Sequence, residues 1–238
     1  DQRHYCICLS VMSRLILHRA FGSPPARAVL MCCHTLGLDV DIKEVNILNG
    51  ENLTPAFKKL NPMGTVPVLQ DGDFVLSESH AIMKYLVRAY GGDKKDLLYP
   101  PDLRTRAIVD QRMFFDTGVL PFLLILLASV ICSSEDFVLN LIDIEAAYGV
   151  MEAYLQDRQY IATDWMTLAD YSTGTTTAAL QLVQNFDPEK FPRCIEWFER
   201  LQQEWIFKEI NAPGMAFLKK LLHDVWERNK NDKTAKNS

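Results

Sequence analysis

The sequence lacks most of what a redox, metal-binding, membrane or nucleic-acid protein needs. Its six cysteines, Cys6, Cys8, Cys32, Cys33, Cys132 and Cys194, contain no CxxC pair and no zinc-site spacing, which excludes dithiol exchange and a structural zinc site and leaves no disulfide framework. Reduced thiols and a cytoplasmic location are the expectation, with no metal. No apolar run reaches the ~20 residues a bilayer needs. The longest charge-free stretch, Thr117 to Ser134, contains Gly118 and Pro121 and reads as a buried helix. Lys and Arg number 25 against 30 Asp and Glu, a formal charge of −5, and nucleic acid is excluded as a partner because neutralising its backbone needs clustered cations. There is no internal repeat and no compositional extreme: 48% hydrophobic and 23% charged residues in a chain of 238 describe a self-folding protein of one large or two small domains.

At the start, Arg3 and the short apolar stretch Tyr5 to Met12 lack the small-residue cleavage site of a signal peptide. A patterned strand begins just after Met12. Residues 1–11 are therefore expected to be a leader foreign to a natural chain that begins at Met12.

From there the pattern is β-α-β-α-β-β-α. Leu15 to His18 is a strand running into the loop Arg19-Ala20-Phe21-Gly22. Ser23, a favoured N-cap, and Pro24, favoured at a first helical position, open a helix stopped at Gly37. Val40 to Ile47 alternates as a strand, and Thr54 to Leu60 is a short helix ending before Pro62. Val66 to Leu69 and Phe74 to Leu76 flank Asp71-Gly72-Asp73 as a hairpin, and Ala81 to Tyr90 is helical up to Gly91 and Gly92. This order is the thioredoxin arrangement, a mixed four-stranded sheet covered by helices. Residues 12–92 form this α/β domain, 93–102 a Pro-containing linker, and 103–229 an all-helical bundle. Its helices are expected at 103–133, 135–156, 168–184, 191–203 and 214–229, and residues 230–238 are expected to be a disordered Lys-rich tail. Thr167-Leu168-Ala169-Asp170 resembles a capping box, with Asp170 in place of the usual Glu or Gln. Trp197, Phe198 and Trp205 are expected to pack the bundle.

Three motifs bear on chemistry. Ser23-Pro24-Pro25-Ala26 stands where thioredoxins carry their redox CxxC. A hydroxyl there cannot exchange disulfides, but at a helix N-terminus it can donate to an external thiolate. Asn61 to Leu69 enters the hairpin with Pro67 at a strand start, which suits an edge or a cis bond. A cis Val66-Pro67 bond exposes the Val66 backbone to an extended peptide, as in strand addition. Glu78 and Ser79 open the next helix, where Ser79 and the helix amides can take a carboxylate and Glu78 an ammonium. Taken singly, Ser23-Pro24 and Glu78-Ser79 are also ordinary helix starts. Their conjunction on one βαβαββα unit points to glutathione, a peptide with a thiol and a zwitterionic end.

Ser23-Pro24-Pro25-Ala26-Arg27-Ala28, Asn61-Pro62 through Thr65-Val66-Pro67, and Ser77-Glu78-Ser79-His80-Ala81-Ile82 resemble the insect delta and epsilon glutathione S-transferases, nearer epsilon, over nearly the whole chain from Met12. The resemblance implies that Ser23 stabilises the glutathione thiolate, Val66 pairs with the cysteinyl backbone, and Glu78, Ser79 and His80 hold the γ-glutamyl end, with Thr65 and Pro67 beside them. It implies a homodimer and conjugation of glutathione to electrophiles. Where related enzymes carry histidines, this chain has Asn52 and Gly64. Asn52 is left as a possible hydrogen-bond donor, and Gly64 offers only backbone.

In the helical half, Thr117, Pro121, Leu124, Ile125 and Ala128 recur at helical spacing on one face, which is core or pocket by periodicity. The resemblance makes it, with Pro25, the acceptor site, and its lack of charge favours an apolar electrophile. Two alternatives stay open at this point: a noncatalytic or weakly active protein binding glutathione or apolar ligands, and a glutathione-dependent peroxidase or isomerase.

Overall fold

The computed structural model describes residues 14–118 and 141–236. Four strands, β1 (Leu15–Arg19), β2 (Val40–Glu44), β3 (Val68–Asp71) and β4 (Phe74–Ser77), form one sheet in the order β2-β1-β3-β4. β1 runs parallel to β2 with Leu15 opposite Val40 and antiparallel to β3 with Leu17 opposite Leu69, while β3 and β4 form the hairpin. The intervening helices are α1 (Pro24–Leu36), α2 (Pro55–Leu60) and α3 (Ser79–Tyr90). This is the βαβαββα thioredoxin-like order expected.

The period of two along the strands sorts side chains to the two faces. Leu15, Leu17 and Leu69 join the core built with Val29, Met31, Ile82 and Leu86 of α1 and α3. Val68, one residue along β3, faces the other way, onto Phe57 of α2. β2 comes out shorter than expected, β3 is shifted two residues along, and β1 and β4 each run one residue further. β2 stops at Glu44, where the chain enters the turns Ile47–Asn49 and Glu51–Leu53, and β3 starts only at Val68, after Pro67.

The helical half holds α4 (Lys95–Leu98), α5 (Leu103–Gly118), α6 (Leu141–Tyr154), α7 (Leu168–Leu180), α8 (Pro192–Gln203), a wide turn of helix at Phe207–Asn211, and α9 (Ala212–Lys236). The link between the halves is thus itself partly helical. α9 begins before Gly214 and runs past Asn229, where a tail was expected, because nothing from Lys230 to Lys236 is a Gly or Pro that would stop it. α7 ends at Leu180, short of Gln184. Of the three aromatic residues expected in the bundle, Trp197 is buried and Phe198 packs on the core, but Trp205 is 55% exposed, since it follows the end of α8.

α7 is buried along its whole length and packs on both α1 and α5. Its start is the capping box: Thr167 accepts from the Ala169 amide, and Asp170 accepts from the Thr167 amide at 2.9 Å. The same fully buried carboxylate also takes the Ile161 amide and the Trp197 indole N–H, each at 2.9 Å. Burial pushes its pKa up, and these donors oppose the rise. Cys32, Cys33 and Cys194 are buried free thiols, and burial raises each of them, Cys33 to about 12. They are held protonated and inert. No helix among the described residues is long and apolar enough to cross a membrane.

Asp170→Ala leaves four buried donors, the Ile161 and Thr167 amides, the Thr167 hydroxyl and the Trp197 indole N–H, without this acceptor, so it is expected to lower folding stability by about 3 kcal/mol or more. Urea denaturation followed by circular dichroism measures it.

Candidate functional site

β1 delivers the chain through Ala20-Phe21-Gly22 to Ser23, whose backbone is extended (φ −69°, ψ 119°) at the N-cap of α1. The Ser23 amide donates to Ala20 O at 2.9 Å and its carbonyl accepts from the Arg27 amide at 3.0 Å. The hydroxyl, in contrast, makes no capping bond. It occupies the cap position without serving as a cap, and so is left for an outside partner. Pro24 and Pro25 carry no N–H, so the first amide the helix offers is that of Ala26. The mouth of α1 is therefore poor in donors, and the Ser23 hydroxyl is prominent among those present.

Next to it lies a cavity of about 350 Å³ whose wall includes Pro25 of α1, Thr65-Val66-Pro67 before β3, Glu78-Ser79-His80 at the start of α3, Asp116 and Thr117 of α5, and Thr176 of α7. The Val66-Pro67 bond is cis. Among the described residues, neither the N–H nor the C=O of Val66 pairs with another backbone group. Asn61 anchors this loop, donating to Thr65 O and Oγ1 at 2.9 Å. Glu78 is exposed, at φ +71°, the one described non-glycine residue with positive φ. Such a conformation costs of order 1 kcal/mol or more and concentrates at functional sites. Like Ser23, Glu78 precedes a helix without capping it, so the leading amides of α3 face the cavity edge unsatisfied by a side chain.

The residues expected from sequence divide accordingly. Pro25, Thr65, Val66, Pro67, Glu78, Ser79, His80 and Thr117 meet in one wall; Ser23, two residues before Pro25, and Asn52 are not in the wall; Pro121, Leu124, Ile125 and Ala128 lie outside the described residues. Asp116 and Thr176 were not anticipated. The His80 ring is also differently engaged than expected, because both nitrogens are bonded to α5. Nε2 lies 2.9 Å from Asp116 Oδ2 and Nδ1 2.8 Å from Thr117 Oγ1. Asp116 is 4% exposed, and its second oxygen, Oδ1, is buried without a partner among the described residues. A buried, half-satisfied carboxylate in a cavity wall is an acceptor for a cation. The signal in the sequence was a lone acid, Asp116, inside the otherwise apolar end of α5, next to the selected Thr117.

The two departures from the resemblance turn out to be one structural unit. The Asn52 side chain donates to Gly64 O at 2.7 Å. Gly64 has φ +68°, and a Cβ there would stand 2.9 Å from Asn52 O and 3.3 Å from Leu53 Cδ2. Residue 64 has no room for a histidine in this backbone; the Asn52 amide nitrogen holds it, while Asn52 Oδ1 is buried without a partner among the described residues.

Fold and cavity together define a class: a thioredoxin-like domain packed on a helical bundle, with an open site where two helix starts meet an unpaired stretch of backbone. The glutathione S-transferase N-terminal domain family matches residues 17–94. Glutathione S-transferase 1 of Manduca sexta is 38% identical over 87% of this chain and 97% of its own. An epsilon-class glutathione S-transferase from the housefly, Musca domestica, superposes with a TM-score of 0.84 at 35% identity, covering 89% of this chain and 98% of its own. A Drosophila mojavensis glutathione transferase homologue solved with bound glutathione gives a TM-score of 0.84 at 37% identity, over 90% and 98%. The chain belongs to the glutathione S-transferases, of the insect delta and epsilon kind, and is an enzyme of that family with glutathione as its co-substrate.

Gly64→Ala is expected to cost about 1–2 kcal/mol through its positive φ and the contact with Asn52, read as a lower denaturation midpoint. Gly64→His is expected to be at least as destabilising rather than to improve glutathione binding.

Proposed function

We propose that this chain binds glutathione along the wall described, ionises its thiol beside Ser23 and transfers the sulfur to an apolar electrophile. The observation that carries the reading is the uncommitted Ser23 hydroxyl at the mouth of α1. The thiol proton leaves to water, the hydroxyl donates to the resulting thiolate, and the sulfur lone pair attacks the electrophilic carbon, forming the C–S bond as the leaving group departs with its bonding electrons, chloride in the case of a chloronitrobenzene. Lowering the thiol pKa by 2 corresponds to about 2.7 kcal/mol, within reach of a hydroxyl donor plus a positive local field.

The other roles follow along the peptide. The unpaired Val66 backbone, flanked by Thr65 and Pro67, pairs with the cysteinyl unit in the manner of an added strand. The γ-glutamyl carboxylate meets Ser79 and the α3 amides, and its ammonium lies between Glu78 and the unpartnered Asp116 Oδ1. His80 acts through its bond to Asp116, and Thr117, bonded to the same ring, belongs with this end of the site rather than with the acceptor. Asn52 shapes the loop at the glycyl end. Pro25, with Pro121, Leu124, Ile125 and Ala128 of the expected apolar face, lines the acceptor pocket. Residues 12–92 form the glutathione domain and 103–229 the helical domain, with 93–102 between them.

The same reading includes a homodimer in the cytoplasm. Phe74 on β4 packs on Tyr85 of α3, and Phe114 of α5 lies under Lys84 of α3, yet the two phenylalanines remain 44% and 73% exposed. Large apolar side chains left exposed beside α3 suit a subunit interface. The buried, protonated thiols suit a reducing compartment.

Ser23→Ala is expected to lower kcat/KM about 10- to 100-fold with a chloronitrobenzene acceptor while glutathione affinity stays within a few-fold; unchanged turnover removes Ser23 from the mechanism. A hydroperoxide assay run in parallel reports whether the same thiolate also serves reduction. Asp116→Asn is expected to raise the glutathione KM more than it lowers kcat. Phe114→Glu is expected to convert dimer to monomer in analytical ultracentrifugation.

A further inference from the structure

Arg27 lies on α1 one turn beyond Ser23 and is only 1% exposed, yet among the described residues no carboxylate pairs with it. Its partners are neutral: Nε donates to Asn211 Oδ1 at 2.9 Å, one terminal nitrogen donates to Gly22 O, and the other reaches Thr175 O at 3.3 Å and Met215 Sδ at 3.1 Å. Burying a cation without a counter-ion is costly and is retained where the charge has a use. Burial lowers its pKa to about 10, and no charged neighbour contributes, so the guanidinium keeps its full charge at neutral pH.

Two features of the site call for such a charge. The Pro24-Pro25 start deprives α1 of the amides that would normally present the positive end of the helix to an anion. Among the described residues, the backbone of the Ala20–Ser23 loop is held by the Ser23 amide bond to Ala20 O and the Arg27 amide bond to Ser23 O. Arg27 supplies both positive potential and an anchor on Gly22, the residue immediately before Ser23. The last helix closes over the same spot. A Cβ at Gly214 would stand 2.3 Å from Arg27 Cδ and 3.2 Å from Phe21 O, and Phe217 meets the Phe21 ring edge-on at 5.5 Å.

We propose that Arg27 is a positioning residue for the reaction: it fixes the Gly22-Ser23 loop, furnishes the unneutralised positive charge that favours the glutathione thiolate, and makes both depend on Asn211 and the start of α9. This rests on Ser23 being the thiolate donor. The charged groups on the surrounding elements are otherwise placed. Arg19 of β1 pairs with Glu44, Asp170 and Tyr171 of α7 are hydrogen-bonded to Trp197 and Thr35, Lys208 donates to Gln203, Glu209 and Lys219 are exposed, and Lys220 pairs with Asp224. Glu78, His80 and Asp116 face the site from the other wall.

The test is a pH titration of the ultraviolet thiolate absorbance of glutathione bound to the full chain, with folding checked by circular dichroism. Arg27→Met removes the charge. Asn211→Asp keeps the acceptor for Arg27 Nε but neutralises the charge in place. Each is expected to raise the ionisation midpoint by about 1 pH unit, hence about 10-fold less thiolate at pH well below the parental midpoint, with the glutathione KM changed less than about threefold. Arg27→Lys retains the charge and is expected to stay near the parent midpoint. A parental midpoint in folded Asn211→Asp overturns the electrostatic role, and it decides alone if Arg27→Met does not fold. Ser23→Ala separates the two readings. An unchanged thiolate band in Ser23→Ala overturns Ser23 itself, whereas loss of that band together with an unmoved midpoint in Asn211→Asp overturns only the role of Arg27.

Discussion

The packing of α1 between the sheet and α7 is the constraint on which the rest of the structure depends. One side of α1 rests on Leu15, Leu17 and Leu69, the other on a helix that is itself buried from Leu168 to Leu180. A helix enclosed this way cannot shift without opening cavities in both halves. Its first turn is therefore held rigidly, and the site draws its precision from that turn. Asp170 serves the arrangement at a distance by tying the start of α7 to Ile161 and Trp197.

Around this axis the site is assembled from polar groups left incomplete by the protein. Among the described residues, Ser23 caps nothing, Val66 pairs with no other backbone group and Asp116 Oδ1 is buried without a donor, while Glu78 sits in an unfavourable backbone region. Each costs folding free energy that a ligand carrying the complementary group recovers. On the reading proposed above, a zwitterionic peptide with a thiol offers those groups in the same order along its length.

Much of this was legible in the sequence because it is local. Strand alternation, the Gly37 stop, the Asp71-Gly72-Asp73 hairpin and the capping box each depend on residues within a few positions of one another. Helix ends were less well read: α7 stops before Gln184 and α9 runs past Asn229, where neither Gly nor Pro marks the boundary. The motif order alone brought Ser23, Val66, Glu78 and Ser79 into one argument, since a β-α junction and a hairpin in this topology present their ends on the same side.

The sequence by itself determined the architecture, the family and most of the chain positions that meet the cavity, though not Asp116 or Thr176, because what it determined follows from short-range periodicity and from motifs at fixed offsets. Only the tertiary structure decided what those residues do to one another. It joined His80 to Asp116 across 36 positions, and Arg27 to Asn211 across 184. It also showed that Asn52 and Gly64, which read as two lost histidines, are one interlocked turn. The physical reason is that a charge or a donor acquires its meaning from burial and from its partner, and both are set by chain segments far apart in sequence.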